Sequence, residues 1–554
     1  MAKLNRGSWR RLRQIAEILA RHGLLWIVDG VGLSRYLGLA GRFRAQTLPT
    51  VDSSWPERVR LVLAELGPTY VKLGQLASMR PDILPDALAQ SLQHLQDDVP
   101  PFSPQEAQRI IEHAWGQSLT EVLREFDPVP LAAASIGQVH CGWLGNGQAV
   151  VIKVRRPGIL QRAESDFHIL RVLAQRAEKR SPWAKRNGLV SLVEELVATM
   201  REELDFTVEA QNTDAARKNL AGQGDVVVPA VMWDLTHADV LVLESLGGVK
   251  INDREGLAAM GIQGDELARR FIHSLYRQIF QAGFFHADPH PGNVHVDSEG
   301  RLIFLDWGIV GVLSPSMRTR SIQIVLGLVQ GQSEMVAEAL AAIGSASGQV
   351  ERRLLVRDID RLRRRYYEAH LKAFNLGQAL GDLFKTAQRH QLRIPAEFML
   401  LAKTAVLADG VVRSLDPEFS LVEMGKPLAA ELLWTRLNPQ NWVPATVAEA
   451  MKLGGHLANI PEEFERALRT LSRGEIRIVL EHQNIDRVLA HWAVLANRVA
   501  FSFLLGAILL GLAWVVHGSE LDRMAGMPIG EYAFLAVMAL VLWVLIGAAG
   551  RHKS

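Results

Sequence analysis

Two short motifs in the middle of the chain combine residue types and a spacing that suit nucleotide chemistry. His286, Asp288 and Asn293 follow the pattern H-x-D-x-x-x-x-N, and Asp306 opens a D-x-G sequence thirteen residues after Asn293. Phosphate oxygens concentrate negative charge, and Mg²⁺ prefers oxygen ligands such as carboxylates and amide carbonyls. We therefore predict that Asn293 and Asp306 bind Mg²⁺, which leaves Asp288 to orient or deprotonate a hydroxyl or a water molecule. Together the motifs predict a site for ATP or ADP with magnesium.

The residues around these motifs predict the elements that hold them. The apolar runs at 284–285 and 302–305 indicate short buried strands, so that the loops after them would present the ligands. The alternative is a surface turn rich in His and Asp. The second motif, at a spacing that matches the first, argues against that alternative.

A lysine upstream has the sequence context of a phosphate-binding residue. Lys153 ends the apolar run Val-Val-Ile-Lys, which matches the strand lysine that contacts the α- and β-phosphates in kinases. A strand would hold the ammonium group in place. Glu244, which ends a predicted strand at 240–244, is also assigned to nucleotide binding.

The loop before this strand contains alanines where a phosphate-binding loop usually has glycines. Glycine lets backbone amides close over phosphates with positive φ, whereas alanine resists that geometry. We therefore expect the nucleotide to be held differently and transfer to a protein hydroxyl to be impaired. The candidate residues are Ala132, Ala133, Ala134 and Ser135.

Three acidic residues lie on a helical pattern that runs from about 189 to 220. In an uninterrupted helix Asp205 and Glu209 share a face, whereas Glu203 lies about 200° around from Asp205. We assign Glu209 as the partner of Lys153 and Glu203 to a different cation. Taken alone, each acid could equally line a solvated helix face.

A second candidate pair lies further upstream, within a helical pattern at 57–98. Lys72 and Gln75 are spaced i and i+3, so their side chains point the same way. Spacing alone does not distinguish this pair from an ordinary surface pair.

Composition excludes several classes of protein. The chain has 554 residues, so several domains are expected, and its net charge of +2 gives no argument for nucleic-acid binding. Its single cysteine, Cys141, cannot form an intramolecular disulfide, which suits a reducing compartment. The sequence contains no zinc-like cluster of Cys and His.

The two ends of the chain suggest contact with a membrane. Residues 499–516 and 532–550 contain no charge, and each is long enough to cross a bilayer. Positive residues flank the outer ends of this hairpin, which predicts a cytoplasmic catalytic body. A buried helical hairpin is the alternative. Residues 8–33 are either a basic amphipathic helix on an anionic membrane or an ordinary packed helix.

These motifs together resemble the UbiB family of atypical kinases, over roughly residues 55–430. The family is linked to ubiquinone (coenzyme Q) biosynthesis, and the resemblance implies ATPase activity with a membrane-stimulated, accessory role. It also implies that Glu203 pairs with Lys72. One departure is Trp307, which stands where kinases have Phe in D-F-G. The residues that match family motifs are Lys72 and Gln75 (K-x-G-Q), Ala132 to Ser135 (alanine loop), Glu203 and Asp205 (E-x-D), and Lys153, Asp288, Asn293 and Asp306 (kinase machinery).

The sequence thus predicts an α+β, two-lobed, atypical protein-kinase-like fold with an N-terminal helical extension and two C-terminal transmembrane helices. The predicted segments are 1–54 (basic), 55–130 (helical extension), 131–246 (small lobe), 247–430 (large lobe), 431–493 (linker) and 494–550 (hairpin).

Three functions remain open at this point. One is an ATPase that handles quinone precursors or their biosynthetic enzymes at anionic lipids of a bacterial inner membrane. The second is a phosphotransferase for a small molecule, lipid or protein, and the third is a nucleotide-binding scaffold. After Gly308 a helix is predicted to begin near Ser314, with a Ser N-cap and Pro at N1, which leaves few residues for a peptide-positioning segment.

Overall fold

The structure is a computed structural model of one chain. It describes residues 6–24, 54–78, 84–95, 99–186, 188–346, 351–367, 376–417 and 419.

Four helices form the N-terminal part. The first is amphipathic and buries Leu12, Ile15 and Ile18 in a shared apolar cluster with Val62 and Ile169. For residues 6–24 the structure therefore shows the packed-helix alternative. The predicted pattern at 57–98 contains several helices, and the first two meet at Gly67 (φ +101°). The four are α1 (Arg6–Arg21), α2 (Trp55–Leu66), α3 (Pro68–Ser78) and α4 (Asp86–Gln93).

A five-stranded antiparallel sheet forms the small lobe. Its order is β1-β3-β4-β6, with β2 paired to β3, and it begins at Leu123 rather than at residue 131. Residues alternate along β4, so Val150, Ile152 and Val154 enter the core while Lys153 faces the other side. The elements are α5 (Pro104–Trp115), α6 (Leu119–Val122), β1 (Leu123–Phe126), β2 (Ala132–Ala133), β3 (Gly137–Leu144), β4 (Ala149–Arg155) and β6 (Val240–Glu244).

The helical pattern at 189–220 is interrupted, and its prediction as one helix was wrong. One helix ends at Glu203, Leu204 caps it, and Asp205 begins the next by accepting a hydrogen bond from the backbone N–H of Thr207. Asp favours this N-cap position because its carboxylate satisfies a free helix-end amide. Asp205 and Glu209 therefore do not share one helix face. The helices here are α7 (Ile159–Arg180), α8 (Pro182–Arg186), α9 (Leu189–Glu203) and α10 (Phe206–Leu220).

The large lobe has short strands that carry the motif loops and helices that surround them. The strands predicted around 284–285 and 302–305 are confirmed as β8 and β10, both largely buried. Three sheets form among the described residues, in the orders β5-β10-β9-β7, β11-β8 and β12-β13. The strands are β5 (Val226–Val227), β7 (Val249–Lys250), β8 (Phe284–His286), β9 (Val294–Val296), β10 (Leu302–Phe304), β11 (Val310–Val312), β12 (Ser345–Ala346) and β13 (Leu392–Arg393).

The helices of this lobe include one with an irregular end. After α12 the chain continues as a π-helical segment, Arg277–Ala282, and Gly283 then turns it into β8. The helices are α11 (Arg254–Ala259), α12 (Gly264–Tyr276), α13 (Pro315–Gln330), α14 (Ser333–Ile343), α15 (Arg352–Tyr367), α16 (Leu376–Arg389) and α17 (Ala396–Leu415).

The described residues thus form a two-lobed mixture of helix and sheet, as predicted. No helix within the described ranges is both long and apolar enough to cross a bilayer. The predicted spans at 499–516 and 532–550, and the linker at 431–493, lie outside the described residues.

Candidate active site

Lys153 is the centre of the site. Its Nζ lies 2.9 Å and 2.7 Å from the two carboxylate oxygens of Glu209, and 3.4 Å from Oδ2 of Asp306. The Phe206 ring lies 5.3 Å from the same nitrogen. The structure therefore confirms the predicted ion pair between Lys153 and Glu209, and it adds the carboxylate of the D-x-G motif.

Burial and charge set the protonation of this triad. Burial alone would lower the pKa of Lys153, but the carboxylates of Asp306 and Glu209 together raise it above its ordinary value. Burial raises the pKa of Glu209 to about 7, the like charge of Asp306 adds to this, and Lys153 opposes it. Since two carboxylates share one ammonium group, Glu209 is the member that takes up a proton near neutrality.

Asp306 stays ionised. Burial works to raise the pKa of Asp306, but the Lys153 ammonium and the backbone N–H of Gly308 together lower it well below its usual value, with a further contribution from Lys72. The Gly308 amide donates to Oδ1 at 2.9 Å, and the side chain is 47 % exposed. An ionised carboxylate with one oxygen beside a lysine and open space around it suits a divalent cation.

A second ion pair lies beside the first. Nζ of Lys72 lies 2.9 Å from Oε1 of Glu203, and both side chains are largely buried. This confirms the pairing that the family resemblance implied. The break after Glu203 explains how Glu203 and Glu209 serve different lysines, because the two acids lie on different helices, α9 and α10.

The glycine and the glutamine of K-x-G-Q serve packing around this pair. A Cβ on Gly74 would lie 2.5 Å from a methyl group of Leu95 and 2.8 Å from one of Leu63, so glycine allows α3 to approach its neighbours closely. The Gln75 side chain donates to the backbone carbonyl of Leu95 at 3.0 Å. These contacts fix the helix that carries Lys72.

The loop between β8 and β9 holds Asp288 and Asn293. The backbone N–H of Asp288 donates to Nδ1 of His286 at 3.1 Å. The side-chain amide of Asn293 donates to the backbone carbonyl of Asp288 at 3.1 Å, and the backbone carbonyl of Asn293 accepts from the backbone N–H of Leu305 at 2.9 Å. Because Nδ2 of Asn293 is used inside the loop, Oδ1 remains available as a ligand.

His286 and Trp307 form the apolar floor of the loop. Both side chains are fully buried, with ring centroids 4.8 Å apart, and the indole N–H of Trp307 donates to the carbonyl of Phe304. Burial lowers the pKa of His286 to about 4, although the carboxylates of Asp306 and Asp288 oppose the shift. The histidine is therefore neutral and supports the loop through Nδ1.

Asn293 and Asp306 fit a magnesium ion that also takes phosphate oxygens. Within the described residues no group of three or more His, Cys, Asp or Glu side chains could hold a metal without other ligands. One carboxylate, one amide oxygen and the oxygens of a nucleotide together satisfy the preferences of Mg²⁺. The metal role of both residues stays a prediction.

The alanine loop and Glu244 occupy defined positions. Ala132 and Ala133 pair with Val139 and Gln138, and Val139 in turn pairs with Lys153, so the loop lies one strand away from the central lysine. By contrast, the carboxylate of Glu244 accepts a hydrogen bond from the backbone N–H of Ala230 at 3.1 Å. The structure gives Glu244 a role in fixing the chain between the lobes, and its nucleotide role stays a prediction.

Two residues at the site were missed from the sequence. Lys403 on α17 places Nζ 3.1 Å from Oδ1 of Asp288. Gln278, in the π-helical segment, accepts a hydrogen bond from the backbone N–H of His286 at 3.0 Å. Lys403 does carry a sequence signal, since it is the only charge between 398 and 408. Gln278 carries none that we can identify.

This chain is similar to several known proteins. Residues 94–340 match the ABC1 atypical kinase-like domain, and residues 359–420 match the UbiB helical domain. A Xylella fastidiosa protein named probable protein kinase UbiB is 32% identical over 96% of this chain and 98% of its own length. An uncharacterized Synechocystis protein is 31% identical over 92% of this chain and 86% of its own length. A Mycobacterium tuberculosis protein solved with erythromycin is 23% identical, with a TM-score of 0.45, over 65% of this chain and 91% of its own.

Proposed function

This chain belongs to the UbiB family of atypical kinase-like proteins, and on that premise we propose that it is a MgATP-dependent ATPase that supports ubiquinone biosynthesis at a membrane. The observation that carries the proposal is the assembled triad. Lys153 contacts Glu209 and Asp306 at once, so the lysine and the carboxylate of the D-x-G motif face the same space.

Each residue of the site has a separate role in binding or hydrolysing ATP. Lys153 neutralises the α- and β-phosphates, and Glu209 holds its ammonium in position. Asn293 and Asp306 would hold Mg²⁺, which supplies positive charge to the phosphate oxygens when bound. Asp288 orients a water molecule toward the terminal phosphate, because it lies on the same short loop as Asn293, whose side chain donates to the Asp288 backbone carbonyl.

Water, rather than a protein hydroxyl, is the acceptor that this architecture favours. Only residues 309–314 separate Gly308 from α13, and β11 takes three of these into pairing with β8. Ser314 then caps α13 by accepting from the backbone N–H of Met317. A segment this short cannot position a peptide, which supports hydrolysis over protein phosphorylation.

The substrate side of the proposal rests on the family and on the C-terminal sequence. Ubiquinone precursors are apolar, and a protein anchored by the uncharged segments 499–516 and 532–550 would meet them at an anionic lipid surface. We propose that the hydrolytic cycle moves such precursors, or the enzymes that bind them, at the bacterial inner membrane, with the catalytic body in the cytoplasm.

Phosphate release from MgATP by the full chain in anionic liposomes tests the activity. Asp306→Asn and Lys153→Met remove the two groups that face the phosphates, and Lys218→Met is a matched control because its side chain is 75 % exposed on α10. We expect turnover in the wild type and the control alone. Turnover retained in Asp306→Asn would refute the assignment, and nucleotide binding without turnover in the wild type would favour a scaffold.

A further inference from the structure

Helix α17 belongs by sequence to the region that matches the UbiB helical domain. In the structure it packs in the core beneath the catalytic loop. Ala408, Val411 and Val412 belong to the same apolar cluster as the strands that carry the motifs. The hydroxyl of Thr404, fully buried, lies 3.4 Å from the backbone carbonyl of His286. A residue on this part of the helix is therefore held in a fixed place relative to Asp288.

Lys403, the residue before Thr404 on this helix, places a positive charge beside the catalytic loop. Its Nζ lies 3.1 Å from Oδ1 of Asp288, and its side chain is 23 % exposed. The ammonium group has three N–H donors, and a single carboxylate oxygen does not use them all. The remaining donors are free to bind a further anion beside Asp288.

The catalytic loop itself cannot supply this charge. Residues 287–293, Ala-Asp-Pro-His-Pro-Gly-Asn, contain neither Lys nor Arg. Lys153 contacts Asp306 rather than Asp288, so the lysine that the structure places on Asp288 is Lys403. A terminal phosphate beside Asp288 would be repelled by its carboxylate, and the Lys403 ammonium group would offset that repulsion on the side away from the Mg²⁺ proposed at Asn293 and Asp306.

We infer that Lys403 binds the γ-phosphate of ATP, so that the helical domain completes the nucleotide site of the small and large lobes. The inference rests on the ATP binding proposed above and extends it to a residue outside the kinase-like motifs. Lys153 and Lys403 then neutralise the two ends of the triphosphate. A direct consequence is selectivity, because ADP lacks the group that Lys403 contacts.

Calorimetry on the full chain in mild detergent separates the two nucleotides. Titrations with the magnesium complexes of ADP and of adenylyl imidodiphosphate, which is not hydrolysed, should show that Lys403→Met weakens the triphosphate analogue at least tenfold. Its ADP affinity should stay within twofold of wild type. Lys403→Arg keeps the charge and should recover most of the loss. The control Arg413→Met, a cation on the same helix paired with Asp409, should change neither affinity.

The outcomes distinguish this inference from the proposed function. Equal losses for both nucleotides in Lys403→Met, or no loss for either, would overturn the γ-phosphate contact, as would equal wild-type affinities for the two nucleotides. If the triphosphate preference depends on Lys403 but the wild type releases no phosphate, the inference holds and the ATPase proposal fails. If the wild type hydrolyses ATP and Lys403→Met does so at the same rate and affinity, only the inference fails.

Discussion

The triad of Lys153, Glu209 and Asp306 predicts that the stability costs of Lys153→Met and Glu209→Gln change with pH in opposite directions. Lys153→Met leaves two carboxylates facing each other without a cation. Glu209→Gln leaves Lys153 within 3.4 Å of Asp306, so the lysine keeps a partner. Breaking a buried pair by removing one partner costs roughly 3–5 kcal/mol, whereas removing one of two carboxylates costs less, about 1–2 kcal/mol.

The pH dependence follows from the pKa of Glu209. Its folded-state pKa, about 7, lies above its ordinary value of 4.5, so its proton stabilises the folded state fully below pH 4.5, and this contribution is lost as pH rises through 7. At 1.36 kcal/mol per pKa unit, the wild type loses about 1.4 kcal/mol from this group between pH 6 and pH 8. Removing Lys153 takes away the charge that opposes the shift, so the variant loses up to about 2.7 kcal/mol over the same range.

The two variants should therefore diverge. We expect the cost of Lys153→Met to grow by up to about 1.4 kcal/mol from pH 6 to pH 8, because Glu209 is forced to ionise. The cost of Glu209→Gln should shrink by about the same amount, because glutamine has no proton to lose. Lys218→Met, an exposed change on the helix of Glu209, should stay within about 0.5 kcal/mol at both values.

Urea unfolding of the full chain in mild detergent, without nucleotide and followed by tryptophan fluorescence, measures these differences. The reasoning would be refuted if the costs of the two substitutions were equal, or if both were independent of pH.

The remaining predictions concern the loop floor, a close contact and the membrane. Because burial lowers the folded pKa of His286 to about 4, the wild type should lose about 2 kcal/mol from this group between pH 7 and pH 5, and His286→Asn should remove that loss in urea unfolding. Gly311→Ala places a Cβ 2.1 Å from the ring of Phe285 and should destabilise the folded protein by about 3 kcal/mol, measured as a lower urea midpoint. Gly410→Ala has open space around its Cβ on α17 and should stabilise the folded protein by about 0.5–1 kcal/mol. Deleting 494–554 should release the protein into the supernatant on flotation with anionic liposomes; continued flotation would contradict the anchoring proposal.

The parts of the site that are local in sequence could be predicted from it. Asp288, Asn293 and Asp306 lie on one continuous strand-loop-strand unit, so their spacing alone predicts their proximity. Ser314 as N-cap of α13 was predicted in the same way and is confirmed. In both cases the determining contacts are made within about thirty residues.

The parts that depend on distant packing could not. Lys403 reaches Asp288 only because α17 packs under the catalytic loop. No periodic pattern in the sequence predicts that packing. The break after Glu203 was hidden because Leu204 and Asp205 continue the apolar and polar pattern of the helix. At this point the preference of Asp for the N-cap position competes with continuation of the helix. The ion pairs that Glu203 and Glu209 form with two different lysines favour the break.

The burial of Trp307 has a consequence for chemical probes of this protein. In protein kinases a Phe follows the metal-binding Asp, and its packing in its pocket sets the active or inactive state. Here the indole of Trp307 fills that pocket and donates a hydrogen bond to the backbone carbonyl of Phe304. The backbone carbonyl of Trp307 accepts a hydrogen bond from the Asn212 side chain. Extracting a fully buried tryptophan costs about 3–5 kcal/mol in packing alone. Selective ligands for this protein should therefore be sought among compounds that leave the Trp307 pocket closed.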